Sequence, residues 1–131
     1  MIPSRKECFR LLEEFKVPEN IIRHSIQVNR VAVYLGRKLL ENGTEIDLDL
    51  VDRASLLHDI DKFMTLNTPS DHGEAGKRIL EERGFPELGE IARKHRLFVI
   101  LKNGLKTWEE RLVYYADKRV MGDKIVSVRE R

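Results

Sequence analysis

Apolar positions along the chain recur every three or four residues, the spacing that puts side chains on one face of an α-helix. Phe9, Leu12 and Phe15 share such a face. Ser4-Arg5-Lys6-Glu7 in front of them has the Ser-x-x-Glu form of a capping box, so a first helix is expected over about residues 5–16. Pro18 suits the first turn of a second helix. Ile21, His24, Val28, Val31 and Leu35 form the apolar stripe of that helix, which is expected to stop near Glu41, where Asn42-Gly43 offers a left-handed cap. Asp47 or Asp49 caps a third helix reaching about Asp61. A loop with Asn67, Thr68, Pro69 and Ser70 follows, then a helix capped by Asp71 and ending at Gly84, and another opened by Pro86 and running through about Arg96. Thr107-Trp108-Glu109-Glu110 is a second capping box, opening a helix that ends near Gly122. Period-two alternation is confined to Ile125–Val128, too short for a sheet. The pattern therefore predicts an all-α fold, a single compact bundle of six or seven helices.

Composition narrows what such a bundle does. The 131 residues amount to one domain's worth, and no repeat, low-complexity tract or linker divides them, so one domain over residues 1–131 is expected. Lys+Arg number 24 and Asp+Glu 22, a net charge of +2 that argues against a nucleic-acid partner chosen by charge. Apolar runs such as Leu97–Leu101 are too short for a membrane span or a signal-peptide core. A single cysteine, Cys8, excludes an intrachain disulfide framework and fits a reducing compartment, and beside Phe9 and Leu12 it reads as a buried small hydrophobe. Together these features predict a cytoplasmic domain with no membrane partner. The tail Lys124–Arg131 mixes Ile125, Val126 and Val128 with charges, which suits packing back on the bundle or meeting a second copy in a homodimer.

The candidate chemistry lies in four histidines and two aspartates. His24 sits on the apolar stripe of the second helix, where an imidazole is either a core group bonded to a backbone carbonyl or a ligand. Val51, Ala54, Ser55 and His58 share a face, with Asp59 beside it, so two polar side chains end an otherwise buried helix. A buried carboxylate needs a cationic partner or a metal. Val113, Ala116, Asp117 and Val120 repeat the pattern on the last long helix, with Lys118 and Arg119 as alternative salt-bridge partners for Asp117. His72 opens a helix and His95 stands near the end of one, where a protonated imidazole would also favour the helix dipole. As a set, imidazoles and carboxylates from facing helices are suited to Zn, Fe, Mn, Co or Ni.

The order His24, then His58-Asp59, then Asp117 resembles the HD superfamily of metal-dependent phosphohydrolases. Ala54-Ser55-Leu56-Leu57-His58-Asp59-Ile60-Asp61-Lys62 is similar to that family's central HDIGK-type motif, and Tyr115-Ala116-Asp117-Lys118 to its terminal one. His72 and His95 fall where some members carry two further histidines, and the segment 72–80 resembles the helix after the first of them. The likeness covers about residues 20–121. It implies that His24, His58, Asp59 and Asp117 bind one metal, that Asp59 bridges to a second held also by His72 and His95, and that a water activated between them attacks phosphorus. The two ions would be divalent or transition metals, among Fe, Mn, Co, Ni, Zn and Mg. Lys62 would hold a phosphate oxygen or the leaving group and act with Asp59 in catalysis, and Arg96 would bind a distal phosphate. Asp61 replaces the motif glycine, where it would meet solvent, a water on the substrate, or nothing, and no GYP-type motif is present. Both differences set the chain apart from the signalling phosphodiesterases. It looks more like the HD-type hydrolases of small nucleotides, including those that cleave diadenosine tetraphosphate symmetrically. The alternative is a metal- or nucleotide-binding regulatory module with little turnover.

Overall fold

The computed structural model describes residues 2–94 and 104–127, apart from the side chain of Ser70. Among them the chain forms six α-helices: α1 Arg5–Glu14, α2 Glu19–Glu41, α3 Leu48–Leu57, α4 Glu74–Glu82, α5 Pro86–Arg93 and α6 Trp108–Lys118. A 3-10 turn, Pro69–Asp71, precedes α4. A small antiparallel hairpin, β1 Val120–Met121 with β2 Lys124–Ile125, follows α6. The all-α class expected from periodicity is the observed one. No helix among the described residues is long and apolar enough to cross a membrane.

Local sequence explains most boundaries. Ser4 Oγ accepts the Glu7 N–H at 3.1 Å and starts α1. Asp47 does the same for α3 through the Leu50 N–H at 3.1 Å, and its own N–H donates to Glu109 Oε2 at 2.8 Å, joining the starts of α3 and α6. Thr107 and Glu110 form the anticipated reciprocal capping box of α6.

Three expectations are corrected. α3 ends at Leu57 rather than Asp61, because the chain enters successive turns in which the Asp61 carboxylate is drawn inward to backbone N–H groups of residues 73 and 76. α4 begins at Glu74, not Asp71, because Gly73 at φ 94° stands outside the right-handed helical region. α6 stops at Lys118, because Arg119 turns the chain back, accepting the Val126 N–H at 2.7 Å and donating from Nε to the Val126 carbonyl. The hairpin closes through a two-residue turn with Gly122 at φ 63°, a position that favours glycine. The Pro86 helix ends at Arg93, and His95 and Arg96 lie outside the described residues.

α2 packs on α3, α6 and β1 through Val28, Ala32, Val51, Leu112, Ala116 and Val120. A larger cluster joins α1, α3, α4 and α5 and includes Leu12, Leu56, Leu57, Ile60, Leu80 and Leu88, all buried. Asn29 registers α2 against α3: its Nδ2 donates to the Asp52 carbonyl, Asp52 Oδ1 and Ser55 Oγ at 2.9–3.0 Å. These elements bring the second turn of α2, the end of α3 and the last turn of α6 to one place.

Cys8 is buried in the larger cluster. Burial pushes its thiol up to about 12 from 9.0, with Arg53 and Arg5 opposing only in part. The folded protein therefore holds the proton between pH 9.0 and about 12 while the unfolded chain releases it. Stability from this group is fully present below pH 9 and is lost as pH rises, by about 1.4 kcal/mol per unit. Urea titrations from pH 8.5 to 11 should show a steeper loss for the wild type than for Cys8→Ala. Equal slopes would show that the thiol ionises freely.

Candidate metal centre

His24 projects from α2. Its Nδ1 lies 2.7 Å from the Gly122 carbonyl and its Nε2 2.9 Å from Asp117 Oδ1 and 3.8 Å from Asp59 Oδ2. A carbonyl can only accept, so Nδ1 donates, and the hairpin turn holds the ring. Gln27, one turn further along α2, donates to the Asp123 carbonyl at 3.0 Å and fastens the same turn.

His58, the C-cap of α3, is fully buried. Its Nδ1 donates to the Ser55 carbonyl at 2.7 Å, one of the carbonyls that a helix end leaves without a backbone partner. Its Nε2 stands 3.3 Å from both Asp59 Oδ2 and Asp117 Oδ1. The His24 and His58 rings are 5.6 Å apart between centroids. One donor atom from each of His24, His58, Asp59 and Asp117 lies within 4.8 Å of the other three, a group compact enough to surround a single ion.

His72 approaches the other oxygen of Asp59. Its Nε2 is 3.1 Å from Asp59 Oδ1, and its Nδ1 is 2.5 Å from Asp61 Oδ1. All three imidazoles are thus arranged alike, with Nδ1 on an oxygen acceptor and Nε2 turned toward carboxylate oxygens. That is the geometry of ligating histidines, whose other ring nitrogen is fixed by an acceptor. A lone pair on Nε2 facing a carboxylate oxygen needs a cation between them, and a proton or a metal ion serves.

The electrostatics agree. Burial opposes charge on His58, but the adjoining Asp59 and Asp117 carboxylates outweigh it and raise its pKa well above the ordinary imidazole value. His72 is raised in the same way, with Asp59 and Asp61 overcoming burial. Burial would raise Asp61, yet hydrogen bonds from His72 and the Gly73 and Gly76 N–H groups, with the charge of His72, hold it below the usual carboxylate range. Two carboxylates, Asp59 and Asp117, and three imidazoles gathered below the surface make a donor set that fits a transition metal.

Of the residues singled out from sequence, the fold brings together His24, His58, Asp59, His72 and Asp117. Lys62 is half-buried on the turn after Asp59, and its N–H donates to the Asp59 carbonyl at 3.0 Å. His95 and Arg96 lie outside the described residues. Lys118 Nζ stands 3.4 Å from Asp117 Oδ2, at the rim of the cluster. Asp61 is a correction. It was expected to meet solvent, water or nothing, and it is instead completely buried with its carboxylate fully engaged. A backbone carbonyl was one of the two partners expected for His24, and the structure identifies it as that of Gly122; the Ser55 carbonyl behind His58 carries no side-chain signal in the sequence.

Comparison with known proteins accords with this geometry. A family model described as HD domain matches residues 21–122. An uncharacterised protein of Methanocaldococcus jannaschii is 35% identical over 123 aligned positions, covering 84% of this chain and 72% of the relative. A protein of Picrophilus torridus named tRNA (cytidine(56)-2'-O)-methyltransferase is 28% identical over 142 aligned positions, covering 98% of this chain but 40% of that longer protein. No solved structure matches the chain at a comparable level.

Proposed function

The chain belongs to the HD domain family, a family of metal-dependent phosphohydrolases, and on that premise we propose that it hydrolyses a nucleotide or other small phosphoester at a dinuclear metal site. The observation that carries this reading is the common arrangement of the three imidazoles, each with Nδ1 on an acceptor and Nε2 toward Asp59 or Asp117.

In this proposal His24, His58, Asp59 and Asp117 would hold one ion. Asp59 and His72 would hold the other, with His95 as the further ligand implied by its place in the motif order. A bound ion supplies Lewis acidity, polarising phosphoryl oxygens and making a nearby water acidic enough to react near neutral pH. The chain's own groups do the rest. The Gly122, Ser55 and Asp61 acceptors keep the three rings oriented, so the site is assembled before substrate arrives. Lys62 holds a phosphoryl or leaving-group oxygen, and Arg96 a distal phosphate.

The test is elemental analysis of untagged protein purified without chelator, followed by phosphate release from p-nitrophenyl phosphate, its bis ester and a nucleotide panel with added Mn, Fe, Co, Ni, Zn or Mg. About two ions per chain with metal-dependent release is the expected result. A protein that takes up no metal on reconstitution and releases no phosphate is not this enzyme. The longer Picrophilus relative favours a second reading, in which the domain is a metal- and nucleotide-binding module beside another activity. Metal uptake with no turnover across the panel would select it.

A further inference from the structure

We propose that Asp61 is a positioning residue that locks His72 in the tautomer with its proton on Nδ1, so that Nε2 presents its lone pair to the metal cluster. The inference rests on the reading of His72 as a ligand, and it assigns a role to the one position where the motif departs from glycine.

Asp61 is wholly buried, and both of its oxygens are committed. Oδ2 accepts the Gly73 N–H at 2.6 Å and the Gly76 N–H at 2.9 Å, the free donors at the start of α4. Oδ1 faces His72 Nδ1 at 2.5 Å. The main chain of Asp61 is pinned as well, its carbonyl accepting the Thr65 N–H at 3.0 Å and Thr65 Oγ1 at 2.7 Å. Gly73 adopts φ 94°, a conformation that favours glycine, and the Asp61 carboxylate lies in contact distance of Gly76, 3.4 Å from where a Cβ would stand. A negative group at a helix N-terminus also has the dipole in its favour.

This arrangement permits one polarity. An ionised carboxylate accepts and does not donate, so the proton of a neutral His72 must sit on Nδ1. Its Nε2 then carries the lone pair, 3.1 Å from Asp59 Oδ1. Glycine at this position would leave Nδ1 without that acceptor and the N–H groups of α4 without theirs.

Asp61→Asn makes the tautomer a measurable choice. The size is kept, and the amide oxygen can take the place of Oδ2 on the Gly73 and Gly76 N–H groups. The amide NH2 then faces His72 Nδ1, which must become the acceptor, and the ring proton moves to Nε2. That nitrogen must then give up its proton before it can bind metal, which weakens the site.

The experiment follows the His72 ring nitrogens by 15N NMR in the wild type and in Asp61→Asn, at a pH where the ring is neutral and again with Zn. Calorimetry with Zn counts and weighs the sites, and thermal melts check folding. The expected result is a protonated Nδ1 in the wild type, a protonated Nε2 in Asp61→Asn, and loss of affinity at the weaker site of about 10–100-fold with the stronger site kept. A wild-type His72 protonated on Nε2 overturns the proposal even if the variant does not fold. So does an Asp61→Asn protein that melts lower but keeps the wild-type tautomer and both affinities, which is what a merely structural role predicts. His72→Ala separates the two readings. If it keeps both Zn sites, His72 is not a ligand. If it loses one while Asp61→Asn loses neither, His72 is a ligand and Asp61 does not position it.

Discussion

On the proposed reading, Asp59→Asn should weaken metal binding at the cluster and remove most of the metal-dependent phosphoester hydrolysis. Asp59 is the group the whole cluster shares: Oδ2 stands 3.3 Å from His58 Nε2 and 3.8 Å from His24 Nε2, and Oδ1 stands 3.1 Å from His72 Nε2. An amide has one oxygen and a nitrogen whose lone pair is not available, so the variant must lose one side of this bridge whichever way it turns. Affinity should fall by about 100-fold or more, since even removal of groups that only orient ligands costs 10–100-fold. The rate should fall by about 1,000-fold, roughly 4 kcal/mol of barrier. A second readout avoids catalysis altogether. A metal at 100 times its Kd stabilises the folded state by about 2.7 kcal/mol. For a chain of 131 residues that is a rise in Tm of about 10 °C. The wild type should show that rise on adding Mn or Zn, and Asp59→Asn almost none. A variant that keeps both the rise and the rate would place the metal elsewhere. His72→Ala is the graded control, because it touches only the Oδ1 side.

The side chains at the centre of this prediction were legible in the chain because helical periodicity is strict. His24, Asp117 and the His58-Asp59 pair each interrupt an apolar stripe, and a polar group on a stripe must face the core or whatever the core encloses. Three helix starts were legible for the same local reason: Ser4 and Thr107 cap the helices they were expected to cap, and Asp47, rather than the alternative Asp49, caps α3. The expected helix ends near Asp61 and Gly122 failed where a distant partner decides, and the expected start at Asp71 failed because Gly73, at φ 94°, stands outside the right-handed helical region. α3 ends early because the Asp61 carboxylate reaches the N–H groups of Gly73 and Gly76, and α6 ends early because Arg119 binds Val126. Neither partner is visible to a window of local sequence. Asp61 itself carried a signal that could have been read. An acid three residues after His58, on a segment with Leu56, Leu57 and Ile60, has to be satisfied internally. The N–H groups of Gly73 and Gly76, at the start of α4, supply the partners.

The largest loss of stability is expected from Glu110→Ala, well away from the cluster. Lys94 and Glu110 are both buried and meet at 3.0 Å, and the other oxygen of Glu110 accepts the Lys106 N–H at 2.7 Å and the Thr107 N–H at 3.1 Å. One carboxylate therefore ties the end of α5 to the start of α6 and fastens the chain on both sides of residues 95–103, the stretch that carries His95 and Arg96. Alanine leaves the Lys94 ammonium with Glu90 Oε2 at 3.6 Å as its nearest acid, and two backbone donors lose their acceptor. Breaking a buried pair costs about 3–5 kcal/mol when the surviving charge loses its close partner, and the longer contact to the half-exposed Glu90 replaces Glu110 only in part. For this chain length the cost corresponds to a fall in Tm of about 10–18 °C. The attraction between the two charges is not itself the source of that figure, and a double variant shows why. Glu110→Gln keeps an oxygen on the Lys106 and Thr107 N–H groups, and Lys94→Met removes the charge while filling its volume. Together they should recover most of the lost stability, since replacing a buried ion pair by well-packed neutral groups is often neutral or better. Melting curves of the single and double variants decide the matter. A Glu110→Ala protein within about 1 kcal/mol of wild type would mean that water already reaches the pair. A double variant as unstable as the single one would mean that the charges are required for packing. If the pair serves the site by holding the two ends of residues 95–103, the double variant should also lose activity at temperatures where it remains folded.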